Sequence, residues 1–297
     1  MTILLLGRDE DPCCALVREE LVRGGRDVWF LAEEHLLPDL RLTWKPSGYG
    51  PDGVIEYGGR CVRFTDIGAV LSRFYGIPVQ PEEFGTVDGQ YVSAEWNAML
   101  MAWLPSMPCR VVNRLRPELW YKQQLNAPDL ASLVPDMRFK RPRTLVTTIR
   151  DEVRAFCESV QGAVRYSPLA QPGRYRIETE EDRQRLFALE GTLPFHLTER
   201  VVGRGVDAFV IGSTVVPADP AGGDDGELPM DVQAHCTEIG TALGLDFFRL
   251  SLIYTTQGDW YCLSLDRTPQ LYGYAAETQM RIVHGLARHL DADGVRR

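Results

Sequence analysis

The sequence has no apolar run that approaches the roughly 20 residues needed to cross a bilayer. It also has no excess of basic residues, because 32 Lys and Arg stand against 41 Asp and Glu, which gives a net charge of −9. Binding to nucleic acid needs clustered Lys and Arg, and only "MRFKRPR" (137–143) is locally basic, which we interpret as a solvated connector. We therefore expect neither a membrane nor a nucleic acid as a partner.

Signals of secretion, disulfide formation and metal chemistry are also lacking. The first residues, "MTILLLGRDEDP", have neither the basic region nor the small-residue cleavage site of a secretory signal. The seven cysteines form no CxxC pair and no Cys/His set with metal-ligand spacing, and the histidines show no pairing pattern. We expect reduced, partly buried thiols in a cytoplasmic protein.

The first residues are typical of an α/β unit. "TILLL" (2–6) is a continuous apolar run, a helix is predicted from about Pro12 to Arg23, and "DVWFL" (27–31) is the next strand. This order favours parallel pairing of the two strands. Because neither the P-loop pattern nor GxGxxG follows the first strand, the usual phosphate-binding fingerprints are excluded.

Alternation and helical spacing predict the remaining elements. They are a hairpin at 53–64, a strand at 69–75, a helix at 88–104, a short strand at 110–113, a helix at 117–125, a mixed α+β stretch from Pro142, a polar loop at 218–229, a helix at 230–243, a hairpin about Gln257-Gly258 and a final helix at 275–290.

The last hairpin, "LSLIYTTQGDWYCLSLDRTP" (250–269), has unusual polar positions. Hairpins of this shape often hold carboxylates that bind magnesium beside a nucleotide, but here the places are taken by Ser251, Ser264 and Asp266. Three interpretations are open: a working metal site, a degenerate one, or small polar residues on one face of an ordinary hairpin.

Five segments resemble, in the correct order, the ATP-grasp superfamily and within it the RimK-like branch, which includes the microviridin (graspetide) ligases. The segments are "RVVNRL", "RPRTLVTTIRDEVRAF", "LTERVVGRGVDAFVIGSTVV", "LGLDFFRLSLIYTTQGDWYCLSLDRTP" and "AAETQMRIVHGLARHL". The fourth resembles the family pattern "lGL.fagiDl..tpdG.y.FlEvNp.P". The resemblance covers nearly the whole chain.

The resemblance implies a fold of α/β and α+β class, the ATP-grasp fold. It divides the chain into an N-terminal pre-ATP-grasp α/β domain (1–115), a central lobe (116–200) and a C-terminal lobe (201–297). In the family, ATP lies between the two lobes with magnesium bridging its phosphates. A substrate carboxylate becomes an acyl phosphate, which an amine or a hydroxyl then attacks. The triphosphate needs Lys or Arg charge, and magnesium needs hard oxygen ligands.

When the family's cation positions are carried over to this sequence, other residue types are found there. The lysine of one lobe strand falls at Tyr166, and Arg165 is expected to project from the opposite face and not to replace it. The family's arginine falls at Asp207, which reverses the charge at that position. The alternative is that Asp207 has no role in a site and is simply exposed on an edge strand. Lys122 is a candidate for an earlier helix lysine of the family, although a shift of three residues would put Leu119 there instead, and Glu199 matches the adenine hinge.

The metal positions depart as well. The family's metal-binding aspartate falls at Ser251, its glutamate at Ser264 and its asparagine at Asp266. Arg73 and Arg114, at strand ends of the first domain, are candidate substrate contacts. We assign no residue as catalytic.

These departures predict a degenerate (pseudo) ligase that binds a peptide or a partner ligase, with weak or absent binding of ATP and Mg. The alternative is an active carboxylate–amine or carboxylate–hydroxyl ligase that recruits residues such as Asp266, Arg165 or Arg204. A third hypothesis is a sensor that binds nucleotide without metal. We also expect a homo-oligomer, or a hetero-oligomer with an intact ATP-grasp protein.

Overall fold

The protein is represented by a computed structural model, which describes residues 1–46, 52–74, 86–114, 116–120, 122–160, 164–167, 169, 175–177, 179–188, 194–223 and 225–292. The strands are β1 (Thr2–Gly7), β2 (Asp27–Ala32), β3 (Arg41–Lys45), β4 (Asp52–Tyr57), β5 (Arg60–Arg63), β6 (Ile67–Ser72), β7 (Arg110–Val112), β8 (Gln124–Asn126), β9 (Thr144–Thr147), β10 (Val164–Tyr166), β11 (Tyr175–Ile177), β12 (Phe195–Glu199), β13 (Arg204–Ile211), β14 (Thr214–Ala218), β15 (Phe247–Tyr254) and β16 (Trp260–Asp266). The α-helices are α1 (Pro12–Arg23), α2 (Leu36–Asp39), α3 (Val87–Ser106), α4 (Ala127–Leu133), α5 (Arg150–Ser159), α6 (Glu180–Ala188), α7 (Met230–Leu243) and α8 (Ala276–Asp291).

The N-terminal sheet has the strand order β2-β1-β6-β7, and all of its pairs are parallel. Every residue of β1 is buried, as its continuous apolar run predicts. The carboxylate of Asp11 accepts a hydrogen bond from the N–H of Cys13 at 2.9 Å and so caps the N-terminus of α1. Gly24 follows the C-terminus of this helix. The predicted strand–helix–strand opening with parallel pairing is therefore confirmed.

A small antiparallel sheet, β3-β4-β5, is attached to this domain. Its second turn is formed by Gly58 and Gly59, with φ values of +56° and +76°, a conformation that glycine adopts without steric cost. This hairpin was predicted, whereas β3 was not. The strand predicted at 69–75 is β6, and its last predicted residue lies outside the described residues.

The central lobe contains a sheet of order β11-β10-β12-β9 with α5 and α6 packed on one face. Its core is formed by apolar side chains of the sheet and both helices, namely Val153, Cys157, Val164, Ile177, Leu186, Phe195 and Leu197. One face of this sheet thus packs into the lobe's own core, and the opposite face, which we call its cleft face, carries polar side chains such as Arg165 and Thr198.

The C-terminal sheet has the order β14-β13-β15-β16-β8. One face packs against α7, and the other packs partly against α8 and the N-terminal domain. The hairpin of β15 and β16 turns at Gly258 (φ +86°), as predicted, and its register shifts between Ser251 and Leu252. This bulge explains why Cys262 and Leu265, three residues apart, both face the core.

The helix predicted at 117–125 is wrong. Residues Pro117–Leu119 form only a short 3-10 turn, and Gln124–Asn126 form β8, which pairs with the edge of β16. Hydrogen bonds to a distant strand here override the local helical spacing. The helix starts later, at α4, where Asn126 and Asp129 form a reciprocal cap. The domain boundaries stay a prediction, with β8 joined to the C-terminal sheet.

No helix among the described residues combines the length and apolarity that crossing a membrane requires. The seven cysteines are free thiols, and five of them are buried. Burial raises the pKa of the Cys13 thiol to about 11, so this thiol stays protonated at neutral pH.

Asn113 connects the N-terminal domain to the C-terminal lobe. Its Nδ2 donates to the backbone carbonyls of Phe247 (2.6 Å) and Arg267 (3.1 Å). Its Oδ1 accepts the N–H groups of Asp246 (2.9 Å) and Phe247 (2.8 Å). Because this amide is buried, all of these groups depend on it rather than on water.

We predict that Asn113→Ala lowers the free energy of unfolding by about 3 kcal/mol or more, because several buried backbone groups lose their partner. Urea unfolding followed by circular dichroism measures this loss. Gln90→Ala, at an exposed position of α3, is the control and should change stability little. An Asn113→Ala variant as stable as the wild type would contradict the role of the amide.

Candidate functional site

A row of polar residues crosses the C-terminal sheet on the face that α7 does not cover, which we call the cleft face of this sheet. The strand register places Asp207 beside Ser251, Ser251 beside Ser264, and Ser264 beside Asn126. Cross-strand neighbours share a face, so these side chains lie next to each other. Two of the three predicted metal positions, Ser251 and Ser264, are therefore brought together by the fold, and the third, Asp266, lies beside Arg249 on the same face.

Asp207 is a buried residue on the inner strand β13 and not an exposed residue on an edge strand, so that alternative is wrong. Its carboxylate accepts the hydroxyl of Ser251 at 2.9 Å and the hydroxyl of Tyr274 at 2.6 Å. Burial, and then the Asp207 carboxylate, raise the pKa of Tyr274, which keeps this phenol protonated as a donor.

Arg249 lies between two carboxylates on this face. Its Nη1 is 3.6 Å from Oδ2 of Asp207 and donates to the Tyr274 hydroxyl at 2.7 Å. Its Nη2 donates to Oδ2 of Asp266 at 3.2 Å, and the other oxygen of Asp266 accepts the N–H of Thr268 at 3.0 Å. Burial raises the pKa of Asp266, and the charge of Arg249 opposes that shift.

These residues form the inner wall of a cavity of about 640 Å³. The N-terminal domain supplies Glu10 and Asp11, and the segment that leads into α8 supplies Tyr272 and Tyr274. Protein pockets that bind small molecules have volumes of about 300 to 1,000 Å³, so the cavity can take a ligand. It is therefore the strongest candidate site among the described residues.

A second cavity, which we call the hinge cavity, lies between residues of the central sheet and the C-terminal sheet, and its volume is only about 20 Å³. Arg165, His196, Thr198 and Glu199 are among the residues that line it. This volume holds about one water molecule. The side chain of His196 is 2% exposed, and its Nδ1 has no hydrogen-bond partner.

The structure reverses the expected orientations of Arg165 and Tyr166. Tyr166 lies opposite Leu197 and packs against the core of the central lobe. Arg165 lies opposite Thr198 and lines the hinge cavity, so it is the cleft-facing cation of β10. Sequence alternation alone cannot say which of two neighbouring residues faces inward. The register also places Arg176 beside Arg165 on that face.

The other predicted nucleotide contacts have partners outside the large cavity. The ammonium group of Lys122 pairs with Asp129, in the first turn of α4. The Glu199 carboxylate accepts the backbone N–H of Arg143 at 2.9 Å. Arg204 lies three residues before Asp207, so the alternation of β13 puts it on the opposite face. The roles predicted for these residues stay predictions.

The two predicted substrate contacts are held by other parts of the chain. Arg73 is 1% exposed; it pairs with Asp11 at 2.6 Å and donates to the carbonyl of Pro269 at 3.0 Å. Arg114 donates to carbonyls just after the end of α3, including those of Met107 at 3.1 Å and Cys109 at 2.7 Å. Arg73 thus connects distant parts of the chain, Arg114 holds the segment that follows α3, and the substrate roles of both residues stay predictions.

Sequence reasoning missed Arg249 and Tyr274. A signal for Arg249 was present, because the family pattern "fagiDl" has glycine where "FFRLSL" has this arginine. An arginine two residues before Ser251 in a strand shares the face of Ser251. Tyr274 had no such signal, because it reaches Asp207 from a segment with no regular structure.

The donor set does not fit the magnesium site that the fold implies. Magnesium takes one or two carboxylates together with phosphate oxygens in octahedral geometry. Ser251 and Ser264 offer neutral hydroxyls, and the nearby carboxylates of Asp207 and Asp266 already face the guanidinium of Arg249. Within the described ranges, no group of three or more His, Cys, Asp or Glu side chains could hold a metal ion.

No protein-family model matches the sequence, and neither does any curated protein. Solved structures do match over almost the full length. The macrocyclase MdnC with its precursor peptide MdnA, from Microcystis aeruginosa, has a TM-score of 0.80 and 14% identity, over 98% of this chain and 99% of that one. A RiPP-associated ATP-grasp ligase from Chryseobacterium gregarium, in complex with ADP and a leader and core peptide, has a TM-score of 0.76 and 15% identity, over 99% and 98%.

The ATP-grasp ligase PsnB, complexed with minimal precursor, Mg and ADP, has a TM-score of 0.76 and 20% identity, over 98% of this chain and 97% of that one. These likenesses show the fold. The chain has the ATP-grasp fold, and the resemblance found in its sequence is confirmed at that level.

The buried ring of His196, which lines the hinge cavity, should make the stability of the protein depend on pH. Burial lowers the pKa of its imidazole, so the folded state favours the neutral ring. The neutral ring of His196 therefore contributes to the free energy of unfolding above the ordinary histidine pKa of about 6.5. This contribution is lost as the pH falls toward the lower pKa of the folded state. We predict that the wild type loses stability between pH 7 and pH 5 more steeply than His196→Gln does.

Urea unfolding at several pH values measures this difference. Gln90→Ala, at an exposed position on α3, removes no titratable group, so it is the control and should keep the wild-type pH dependence. Equal pH dependence in the wild type and His196→Gln would show that the buried ring is not held neutral.

Proposed function

We propose that the chain is a degenerate ligase that binds a peptide or a partner protein with weak or no Mg-ATP catalysis. The observation that supports this most is the pair Ser251 and Ser264, which face each other where the resemblance places the two metal-binding carboxylates. A hydroxyl is neutral, so the site offers magnesium much less charge than an aspartate and a glutamate would.

The charge of the large cavity supports the same proposal. Four carboxylates line it, those of Glu10, Asp11, Asp207 and Asp266, whereas its lining cations are Arg8 and Arg249. Arg73 pairs with Asp11, and Arg249 lies between Asp207 and Asp266, which still leaves these side chains with a net negative charge. A negative wall opposes a triphosphate, because like charges repel each other.

A peptide is the ligand class that we propose for the cavity. MdnC, the Chryseobacterium gregarium ligase and PsnB are each described in complex with a precursor or with leader and core peptides. The carboxylates, together with the exposed ring of Tyr272 at the wall, suit a neutral or basic segment. An assembly of this chain with itself or with an intact ATP-grasp protein is part of the proposal.

The second candidate is an active carboxylate–amine or carboxylate–hydroxyl ligase. It is favoured by one observation, the position of Arg165 and Arg176 side by side on the cleft face of the central lobe. Two guanidinium groups there would complement phosphate oxygens. The same pair would serve a sensor that binds nucleotide without metal.

Titration calorimetry with Mg-ATP, Mg-ADP and metal-free ATP separates these functions. We expect no binding of Mg-ATP in the micromolar range, because the carboxylates for the metal are missing. Micromolar Mg-ATP binding would overturn the degenerate-ligase proposal. Metal-free ATP binding that Arg165→Met abolishes, and that Tyr166→Phe leaves unchanged, would support the sensor.

Restoring the two carboxylates tests the observation about the serines. We predict that Ser251→Asp with Ser264→Glu binds Mg²⁺ at least about tenfold more tightly than the wild type, because hard anionic ligands are added. Calorimetry with MgCl₂ measures this change. Ser213→Asp with Thr214→Glu adds the same charge at the exposed β13–β14 turn and is the control. Equal affinities in the two double variants would show that Ser251 and Ser264 are not metal positions.

A further inference from the structure

Arg249 occupies a central position on the cleft face of the C-terminal sheet. It lies on β15, between β13, which carries Asp207, and β16, which carries Asp266. Its two terminal nitrogens point in different directions, 3.6 Å from one carboxylate and 3.2 Å from the other. A single guanidinium thus bridges two acidic side chains on the strands that flank its own.

Both carboxylates are fully engaged in this arrangement. The oxygens of Asp207 accept hydrogen bonds from Ser251 and Tyr274, and those of Asp266 accept hydrogen bonds from Thr268 and Arg249. Carboxylates shielded from water need a cation and hydrogen-bond donors to stay ionised. Arg8, the other cation lining this cavity, is 3.7 Å from Glu33.

Arg249 plays the part that a bound divalent cation would play between two carboxylates. A metal ion between two carboxylates neutralises their repulsion and fixes their positions, and here a guanidinium meets both requirements. Burial alone would lower the pKa of Arg249, but Asp207, Tyr274 and Asp266 together raise it above its ordinary value, so it stays charged.

We propose that Arg249 is a built-in counter-ion that takes the place of a divalent cation between Asp207 and Asp266. The cleft is therefore organised without metal, and removal of this arginine creates a weak divalent-cation site. This inference deepens the proposed degenerate-ligase function, because it explains how the acidic wall remains stable when no metal is bound.

Thermal unfolding with and without MgCl₂, in protein treated with EDTA and dialysed, tests the proposal without nucleotide or peptide. NaCl at matched ionic strength corrects for screening. We expect the midpoint of the wild type to be the same in both salts. Arg249→Ala should unfold at a lower temperature, and Mg²⁺ should raise its midpoint in a saturable manner, since a ligand of the folded state stabilises it.

Three further variants sharpen the result. Arg249→Lys keeps the charge and should stay insensitive to Mg²⁺. Arg249→Met with Asp207→Asn removes the cation and one carboxylate together, so it should fold without a Mg²⁺ response even if Arg249→Ala does not fold. Arg281→Met removes one of the partners of Asp225, 3.3 Å away and outside the cavity, and is the matched control.

A wild type that Mg²⁺ stabilises as much as Arg249→Ala would overturn the proposal, and so would a folded Arg249→Ala that does not respond. If Arg249→Ala does not fold, a Mg²⁺ response in the Arg249→Met, Asp207→Asn variant would overturn it. Micromolar Mg-ATP binding by the wild type would instead refute the degenerate-ligase function, so the two failures are distinguishable.

Discussion

Asp207 and Asp266 stand on the two strands that flank β15, on the face of the sheet that looks into the cleft. Two carboxylates held this way repel each other, and the C-terminal lobe needs a positive charge between them. Arg249 supplies that charge, and Tyr274 completes the set of donors from a segment with no regular structure. The same side chains form the inner wall of the large cavity.

The domains are joined by similar polar contacts rather than by apolar surfaces alone. Asn113 uses both ends of its amide to hold the start of β15. Arg73 pairs with Asp11 and reaches the carbonyl of Pro269, just beyond β16. The N-terminal domain thereby fixes both ends of the hairpin that carries Arg249, Ser251 and Ser264. A buried polar network of this kind gives one arrangement a strong advantage over its alternatives, because unpaired groups would be costly.

The predictions from the sequence succeeded where one local signal was sufficient. A proline in the first turn and glycines after the last turn defined α1 at Pro12–Arg23, and the helix predicted at 230–243 is α7. The order of the motifs indicated the ATP-grasp fold. The prediction failed at 117–125, where strand β8 pairs with β16, more than 130 residues away along the chain. Local spacing cannot report such a partner, since the hydrogen bonds come from the distant strand.

By itself, the sequence determined the residue types at the site. Serines stand at two expected metal positions, Asp207 stands where the family has an arginine, and Arg249 lies two residues before Ser251. Only the tertiary structure decided how they combine. The register of the sheet set Arg249 between two carboxylates, and the packing of the central lobe turned Arg165 rather than Tyr166 toward the cleft. The physical reason is that successive side chains of a strand point to opposite faces, and only contacts with the rest of the molecule select which face is buried.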